Sequence, residues 1–391
     1  MALFNRILKL DLPHKQSAFL WGARKTGKST YLEQHFPKAV YYDLLKTDIH
    51  IKYVKEPYLF REEILALSPI ELTQPVIVDE VQKNPQLLDE IHWLIEHTDA
   101  NFILCGSSAR KLKREASNLL GGRAWRFEFY PLVYPEIPQF DLLHALNNGL
   151  IPSHYLAKEA HRFLRAYVQD YLTHEIKAEG LVRNLPAFAR FLDAISLTHG
   201  ELTNFSNIAR DSGVDAKTVK EYYQILVDTL LGYFLDPYHK RVGREIITAT
   251  PKFYLFDVGL ANYLAKQRIN DLKGDIAGKA FEHYIFMELI AYRGLKECNF
   301  DITYWRTKTG LEVDFILGKG EVAVEIKIAS NIHLSELKGL IAFQEEHKPD
   351  KAFVVCLAPR ARKIKTINNQ EIIVLPWQRF LEMLWHGEVI K

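Results

Sequence analysis

The clearest chemistry in the chain is held by Gly22-Ala23-Arg24-Lys25-Thr26-Gly27-Lys28-Ser29, with Thr30 following. The run satisfies G-x-x-x-x-G-K-[S/T]. Its glycines let the backbone curl so that successive N–H groups face phosphate oxygens. Lys28 is then placed for the β- and γ-phosphates, and Ser29 for Mg²⁺. Such a loop needs a strand before it and a helix after it. The apolar run Ala18–Trp21 predicts the strand, and Ser29–His35 predicts the helix. A second motif ends Val76-Ile77-Val78-Asp79-Glu80. Its β-branched residues predict a buried parallel strand, whose C-terminal end is where open α/β sheets bind ligands. Asp79 reads as holding Mg²⁺ through its water shell, and Glu80 as the base that polarises an attacking water. Together the motifs predict hydrolysis of ATP or GTP, ATP being the expected nucleotide.

Downstream, Phe102–Cys105 runs into Gly106-Ser107-Ser108. In ring-type ATPases a polar residue at this place senses the γ-phosphate, so Ser107 or Ser108 is the candidate; a plain serine-bearing turn reads nearly as well. Arg110, Lys111, Lys113 and Arg114 precede Gly121-Gly122-Arg123-Ala124-Trp125-Arg126. Such a run reads as a solvated helix face or as the source of a transition-state guanidinium. Arg123 is the preferred arginine finger, with Arg126 behind it. A finger supplied to a neighbour requires a homo-oligomer; one supplied in cis does not.

A second constellation lies near the C-terminus. Val313, Phe315 and Leu317 alternate along Leu311–Leu317, and Val322, Val324, Ile326 and Ile328 along the next strand, with Lys319-Gly320 between them. Matching the apolar faces pairs Leu317 with Val322, Phe315 with Val324 and Val313 with Ile326. The same register sets Asp314 opposite Glu325 and Glu312 opposite Lys327. Facing carboxylates repel across a strand pair. A divalent metal turns that repulsion into coordination, so Asp314 and Glu325 are candidate ligands for Mg²⁺ or Mn²⁺. Lys327, on the same face as Glu325, can orient a water or stabilise phosphate charge. The plain alternative is an amphipathic hairpin with a solvated polar face.

The segments WGARKTGKST, VIVDEVQ, ILCGSSARKL, GGRAWRFEFYPLVYPE and KFYLFDVGL together resemble the prokaryotic AAA-type ATPases that carry a C-terminal domain of unknown function. The resemblance implies an AAA-like P-loop core, a winged-helix module and a C-terminal domain similar to PD-(D/E)XK nucleases, and no settled biological role. The Asp314…Glu325-x-Lys327 spacing is similar to that nuclease core. That similarity implies a catalytic acid from a preceding helix, which Glu282 on Ala280–Arg293 supplies. It also implies a polar residue on the helix after the strands, matched by Gln344. Val313 stands where the family name has proline.

These residues need an α/β chain to position them. Short apolar runs at Ala18–Trp21, Ala39–Asp43, Val76–Asp79 and Phe102–Cys105 alternate with helical patterns, which predicts a mostly parallel sheet. The stretch Phe127–Phe140 breaks that rhythm, so the ATPase core is expected over 1–140. A helical lid or connector follows over 141–201. In 202–270, Leu202–Ser212 reads as a helix and Gly213 as a turn. Asp215 then caps a second helix, Ala216–Leu226, that turns Lys217, Thr218 and Lys220 outward. His239-Lys240-Arg241 and Arg244 flank Gly243 as a basic wing would. This winged helix reads equally as a DNA-backbone reader and as a spacer or protein-interaction module. Residues 271–391 complete the chain as an α/β domain similar to restriction endonucleases.

The composition bounds these readings. Hydrophobic residues at 48% and charged residues at 25% exclude a mainly disordered chain. Lys and Arg at 50 against Asp and Glu at 48 give +2, so a nucleic-acid surface must be a local patch. Cys105, Cys298 and Cys356 stand far apart with no CxxC, which argues against a disulfide framework or zinc site and fits a reducing cytoplasm. The first residues lack a signal-peptide core, and no apolar run approaches the ~20 residues of a membrane span. Two functions fit: an ATP-driven, Mg²⁺-dependent enzyme that processes DNA, or a nucleotide-switched module that recruits DNA or protein without cutting.

Overall fold

The computed structural model describes residues 4–108, 120–172, 182, 184–238, 250–366 and 368–391, with the backbone alone at 170–172. The basic residues Arg110 to Arg114 and the wing residues His239 to Arg244 lie outside the described residues. The chain divides into two compact units, Met1–Leu132 with Ile225–Leu231, and Val133–Gln224 with Gly232–Lys391. The sequence boundaries at 140, 201 and 270 all fall within the second.

In the first unit, apolar runs form β1 (Ser17–Trp21), β2 (Tyr41–Asp43), β3 (Val76–Asp79), β4 (Phe102–Gly106) and β5 (Ala124–Glu128). All pair in parallel, in the order β2-β3-β4-β1-β5. β1, β3 and β4 are buried along their whole length, as strands covered on both faces must be. The connecting helices are α1 (Lys28–His35), α2 (Thr47–Lys55), α3 (Tyr58–Leu65) and α4 (Leu87–His97). Phe19, Val76, Val78, Phe102 and Leu104 pack in one core with Tyr53, Phe60, Ile91 and Leu94. Because every strand points the same way, the loop after β1 and the acids after β3 open at the same edge of the sheet. The strand expected from Ala39 begins at Tyr41. β5 was hidden inside the stretch read as a basic run, because an edge strand leaves Trp125 and Arg126 exposed and shows no apolar pattern.

Between the two sheets the chain forms α5 (Leu142–Asn148), α6 (Pro152–Tyr155), α7 (Ala160–Ala166), α8 (Leu185–Leu197), α9 (Phe205–Ser212) and α10 (Ala216–Asp228). The helix expected from Leu202 starts later, at Phe205, because Asn204 caps it by accepting the Asn207 N–H. It ends at Gly213, whose φ of 70° suits glycine. Asp215 caps α10, accepting the Thr218 N–H at 2.9 Å. Val219 and Tyr223 of α10 are buried, and Lys217 and Lys220 exposed.

Next come β6 (Gly232–Pro237) and β7 (Lys252–Leu255), an antiparallel pair, then α11 (Val258–Leu264) and the long α12 (Gly274–Leu295). The remaining elements are β8 (Ile302–Arg306), β9 (Glu312–Leu317), β10 (Val322–Lys327), α13 (Lys338–His347), β11 (Lys351–Cys356), β12 (Arg362–Lys365), β13 (Glu371–Pro376) and α14 (Trp377–Trp385). The sheet order is β12-β13-β11-β10-β9-β8-β6-β7, with β6 parallel to β8. The strands before and after the basic 239–244 segment therefore share one sheet with the C-terminal strands. Phe315 stacks on Phe286 of α12, while Ile316 and Ala323 join Leu340 and Phe343 of α13. The β9–β10 hairpin is thus buried on both faces, unlike a solvated amphipathic hairpin. Among the described residues no helix is long and apolar enough to cross a membrane, and the three cysteines are free thiols.

Candidate functional site

The loop after β1 is built by backbone geometry. Gly27 takes a φ of 100° and Lys25 one of 61°. A Cβ at Gly22 would stand 2.4 Å from the Phe129 carbonyl oxygen, so only glycine fits there. Thr26 Oγ1 closes the loop by donating to the Ala23 carbonyl at 2.8 Å. From outside, Arg6 donates to the Thr26 carbonyl at 2.7 Å and to that of Tyr130 at 2.6 Å. Lys28 is buried and donates Nζ to the carbonyls of Gly22 at 2.6 Å and Ala23 at 3.0 Å. Arg24, Ser29 and Thr30 complete the expected loop, Ser29 and Thr30 exposed at the start of α1.

Asp79 and Glu80 meet this loop. Ser29 Oγ donates to Asp79 Oδ2 at 2.8 Å, and Tyr41 donates its hydroxyl to the same oxygen at 2.6 Å. Burial, then the Asp79 carboxylate, pushes the Tyr41 hydroxyl far up, so it stays a donor. Asp79 Oδ1 accepts the Glu80 N–H at 3.0 Å, and Glu80 sits in the left-handed region at φ 57°. A non-glycine residue held there marks a constrained position. Gln82 holds the Glu80 carboxylate: its Nε2 donates to Glu80 Oε2 at 2.6 Å and to Ser107 Oγ at 3.1 Å. Gly106 lets it approach, since a Cβ there would stand 2.2 Å from Gln82 Oε1. Arg24 stands 3.9 Å from Glu80. A hydroxyl and a carboxylate on adjoining elements are the donor set of a Mg²⁺-nucleotide site.

Arg123 does not join them. Ala124 pairs with Ser17, so Arg123 stands level with Gln16 at the far end of the sheet. At about 3.3 Å per residue this is roughly 20 Å of strand from Gly22. Its guanidinium pairs with Glu96 at the end of α4. Arg126 lies mid-strand opposite Phe19. Arg123 thus stands at the opposite end of the sheet from the phosphate loop of its own chain, because the glycine pair precedes an edge strand that starts there.

The second constellation gathers in the other unit. Leu317–Val322 and Phe315–Val324 pair as the alternation predicts. The third expected pair, Val313–Ile326, does not form, because Asp314 Oδ2 accepts the Ile326 N–H at 2.7 Å and the ladder stops. Glu312 does not face Lys327: it pairs with Lys252 at 2.7 Å and Arg306 at 3.1 Å, while Lys327 pairs with Glu325 at 2.6 Å. Glu282 accepts from the Tyr254 hydroxyl at 2.5 Å and pairs with Lys252 at 3.2 Å. Burial, then Glu325 and Glu282, holds the Asp314 carboxyl well above the usual range. Burial also raises Glu325, against the pull of Lys327. Burial disfavours the charge on Lys252, but Glu282, Tyr254, Asp314 and Glu312 outweigh it and hold the ammonium well above its usual value.

Glu325 Oε2 is buried with no hydrogen-bond partner, an orphan that fits a cation taking one or two carboxylates plus water. Among the described residues no group of three or more His, Cys, Asp or Glu is arranged as a metal cage. Gln344 donates instead to the Glu371 carbonyl at 3.0 Å, on the β13 side of the sheet. Sequence reasoning missed Tyr41, Gln82, Lys252 and Tyr254. For Lys252 and Tyr254 a faint signal existed, a lysine and a tyrosine two residues apart on one strand face.

Residues 14–138 match a family model described as an AAA domain, and residues 139–271 and 277–380 match two domains of unknown function, DUF8612 and DUF4143. An uncharacterized protein of Mycobacterium tuberculosis, Rv2008c, is 23% identical over 334 residues, covering 80% of this chain and 74% of that protein. An uncharacterized protein of Haemophilus influenzae is 22% identical over 364 residues, covering 84% and 86%. Among solved structures, the Walker-type ATPase of Pyrococcus abyssi overlays with a TM-score of 0.43 at 15% identity, covering 64% of this chain and 91% of that one. AMPPCP-bound DnaA from Aquifex aeolicus overlays at 0.28 with 12% identity, covering 56% and 83%. The AAA-domain match, lying on the loop and acids described above, supports a P-loop ATPase core over residues 14–138.

Proposed function

We propose that the chain is a Mg²⁺-dependent, AAA-type ATPase that couples ATP binding and hydrolysis to a DNA-binding C-terminal half. The observation that carries the reading is the shared hold on Asp79, whose Oδ2 accepts the Ser29 hydroxyl at 2.8 Å while Glu80 is fixed beside it. Residues Gly22 to Thr30 wrap the triphosphate with their N–H groups. Lys28 exchanges the carbonyls of Gly22 and Ala23 for the β- and γ-phosphates. Ser29 and Asp79 hold Mg²⁺, which when bound neutralises phosphate charge. Glu80 accepts the proton of the attacking water, with Gln82 holding its carboxylate and Ser107 at the γ-phosphate side. A guanidinium from Arg123 would have to come from a second copy, which makes a homo-oligomer the assembly to look for. Calorimetry tests the core: Lys28→Ala should weaken ATP binding at least about 100-fold. Wild-type affinity in that variant would overturn the reading.

For the second unit, α10 offers the exposed Lys217 and Lys220 to a phosphate backbone, and Asp314 and Glu325, with Glu282, are read as a metal-dependent phosphodiester-cleaving site. Mg²⁺ or Mn²⁺ bound there would polarise the scissile phosphate, while Lys327 orients the water. A second reading, DNA binding without cutting, is favoured by Lys252, whose ammonium already pairs with Glu282 and with the neighbouring Glu312. Plasmid and single-stranded DNA incubated with Mg²⁺ or Mn²⁺, with and without ATP, separate the two. Cleavage that vanishes in Asp314→Asn supports the first; intact but retarded DNA supports the second. Reversing charge at Lys217 and Lys220 should lower the log–log salt slope of binding by about 0.9 per lost contact. An unchanged slope would assign the helix to a protein partner.

A further inference from the structure

Lys252 is the residue of the carboxylate cluster that no motif announced. It opens β7, and its side chain is only 5% exposed. The ammonium bridges acids from two elements, Glu312 of β9 at 2.7 Å and Glu282 of α12 at 3.2 Å. Tyr254, two residues on and so on the same strand face, donates to the same Glu282 oxygen at 2.5 Å. A buried charge persists only with such partners. On the other side of the cluster, Lys327 reaches one oxygen of Glu325, and the second, Oε2, stays buried and unpartnered. The cluster is thus filled by Lys252 at Glu282 and Glu312, while Glu325 keeps one oxygen, Oε2, without a partner.

We infer that Lys252 is the resident cation of this cluster and competes with a divalent metal for it, so that a metal loads only when Lys252 releases Glu282 and Glu312. The inference rests on reading Asp314 and Glu325 as a cation site. It makes the C-terminal unit a site whose affinity for metal is lowered at rest by its own ammonium. An anion that draws the ammonium away, such as a phosphodiester, would open it.

The test uses Mn²⁺ alone as the probe and the nucleotide-free full chain, following free Mn²⁺ by electron paramagnetic resonance. The relevant binding is the part lost on Asp314→Asn, which sets aside any Mn²⁺ held near Ser29 and Asp79. Lys252→Gln should bind Mn²⁺ in that site about tenfold or more tighter than the wild type. Equal affinity in wild type and Lys252→Gln would overturn the inference while leaving the cation site standing. No Asp314-dependent binding in either would remove the cation site itself. Should Lys252→Gln not fold, Lys252→Met keeps the packing of the stem. A variant that refolds with Mn²⁺ and not without it supports the inference; one that refolds in neither makes Lys252 a core residue and overturns it.

Discussion

The acids at the end of β3 and those around β9 and β10 are stabilised by different partners. Asp79 rests on the hydroxyls of Ser29 and Tyr41, and Glu80 on the amide of Gln82. Of the cations nearby, Lys28 donates to loop carbonyls, and Arg24 stands 3.9 Å from Glu80. In the second unit the partners are ammonium groups, Lys252 on Glu282 and Glu312, and Lys327 on Glu325. The difference decides what each site can accept. A hydroxyl can stay and become a ligand when a cation arrives, as Ser29 is placed to do. An ammonium repels the newcomer and must leave. On the proposed reading, the first site takes Mg²⁺ with its nucleotide without displacing a cation, whereas the second would exchange one cation for another.

The sharpest break of this contrast is Glu80→Gln. It keeps the geometry at Gln82 and removes the base, so kcat for ATP should fall about 10²–10³-fold with ATP affinity within about threefold. Retained turnover would leave Glu80 a structural acid, like Glu312. Gln82→Ala should follow with about a tenfold fall in kcat and little change in KM, since it frees Glu80 without touching the phosphates. A rise in KM instead would place Gln82 in nucleotide binding. The smallest effect is expected at Asp314→Asn without metal. Asparagine can still accept the Ile326 N–H through its oxygen, while the repulsion from Glu325 is gone. Melting should rise by a few degrees, about 1 kcal/mol. A fall would mean that Lys252 and Lys327 already balance the full charge of the cluster.

What could be read in the sequence follows from where the partners lie along the chain. The phosphate loop and the Asp79–Glu80 end are each contiguous and preceded by an apolar strand, so a local pattern carries them. The β9–β10 pairing was legible because side chains alternate and a one-residue slip would turn apolar residues outward. Its final rung was not, since the Asp314 side chain takes over a backbone N–H. Lys252 meets Glu282 and Glu312 from 30 and 60 residues away, and only the closed sheet brings them together. β5 escaped because this edge strand buries none of its five residues fully, so no apolar alternation marks it.

The pairing of β6 with β8 has a consequence for anyone who cuts this chain. A fragment beginning near residue 271 would lose β6 and β7 together. The outer edge of β8 would then be bare, an invitation to strand addition between copies. Glu282 would also lose Lys252 and Glu312 would keep only Arg306, so acids short of counter-charge would seek any cation in the buffer. Such a piece would bind metal without the Lys252 competition and stick to its copies, so its affinities would report the cut rather than the whole protein.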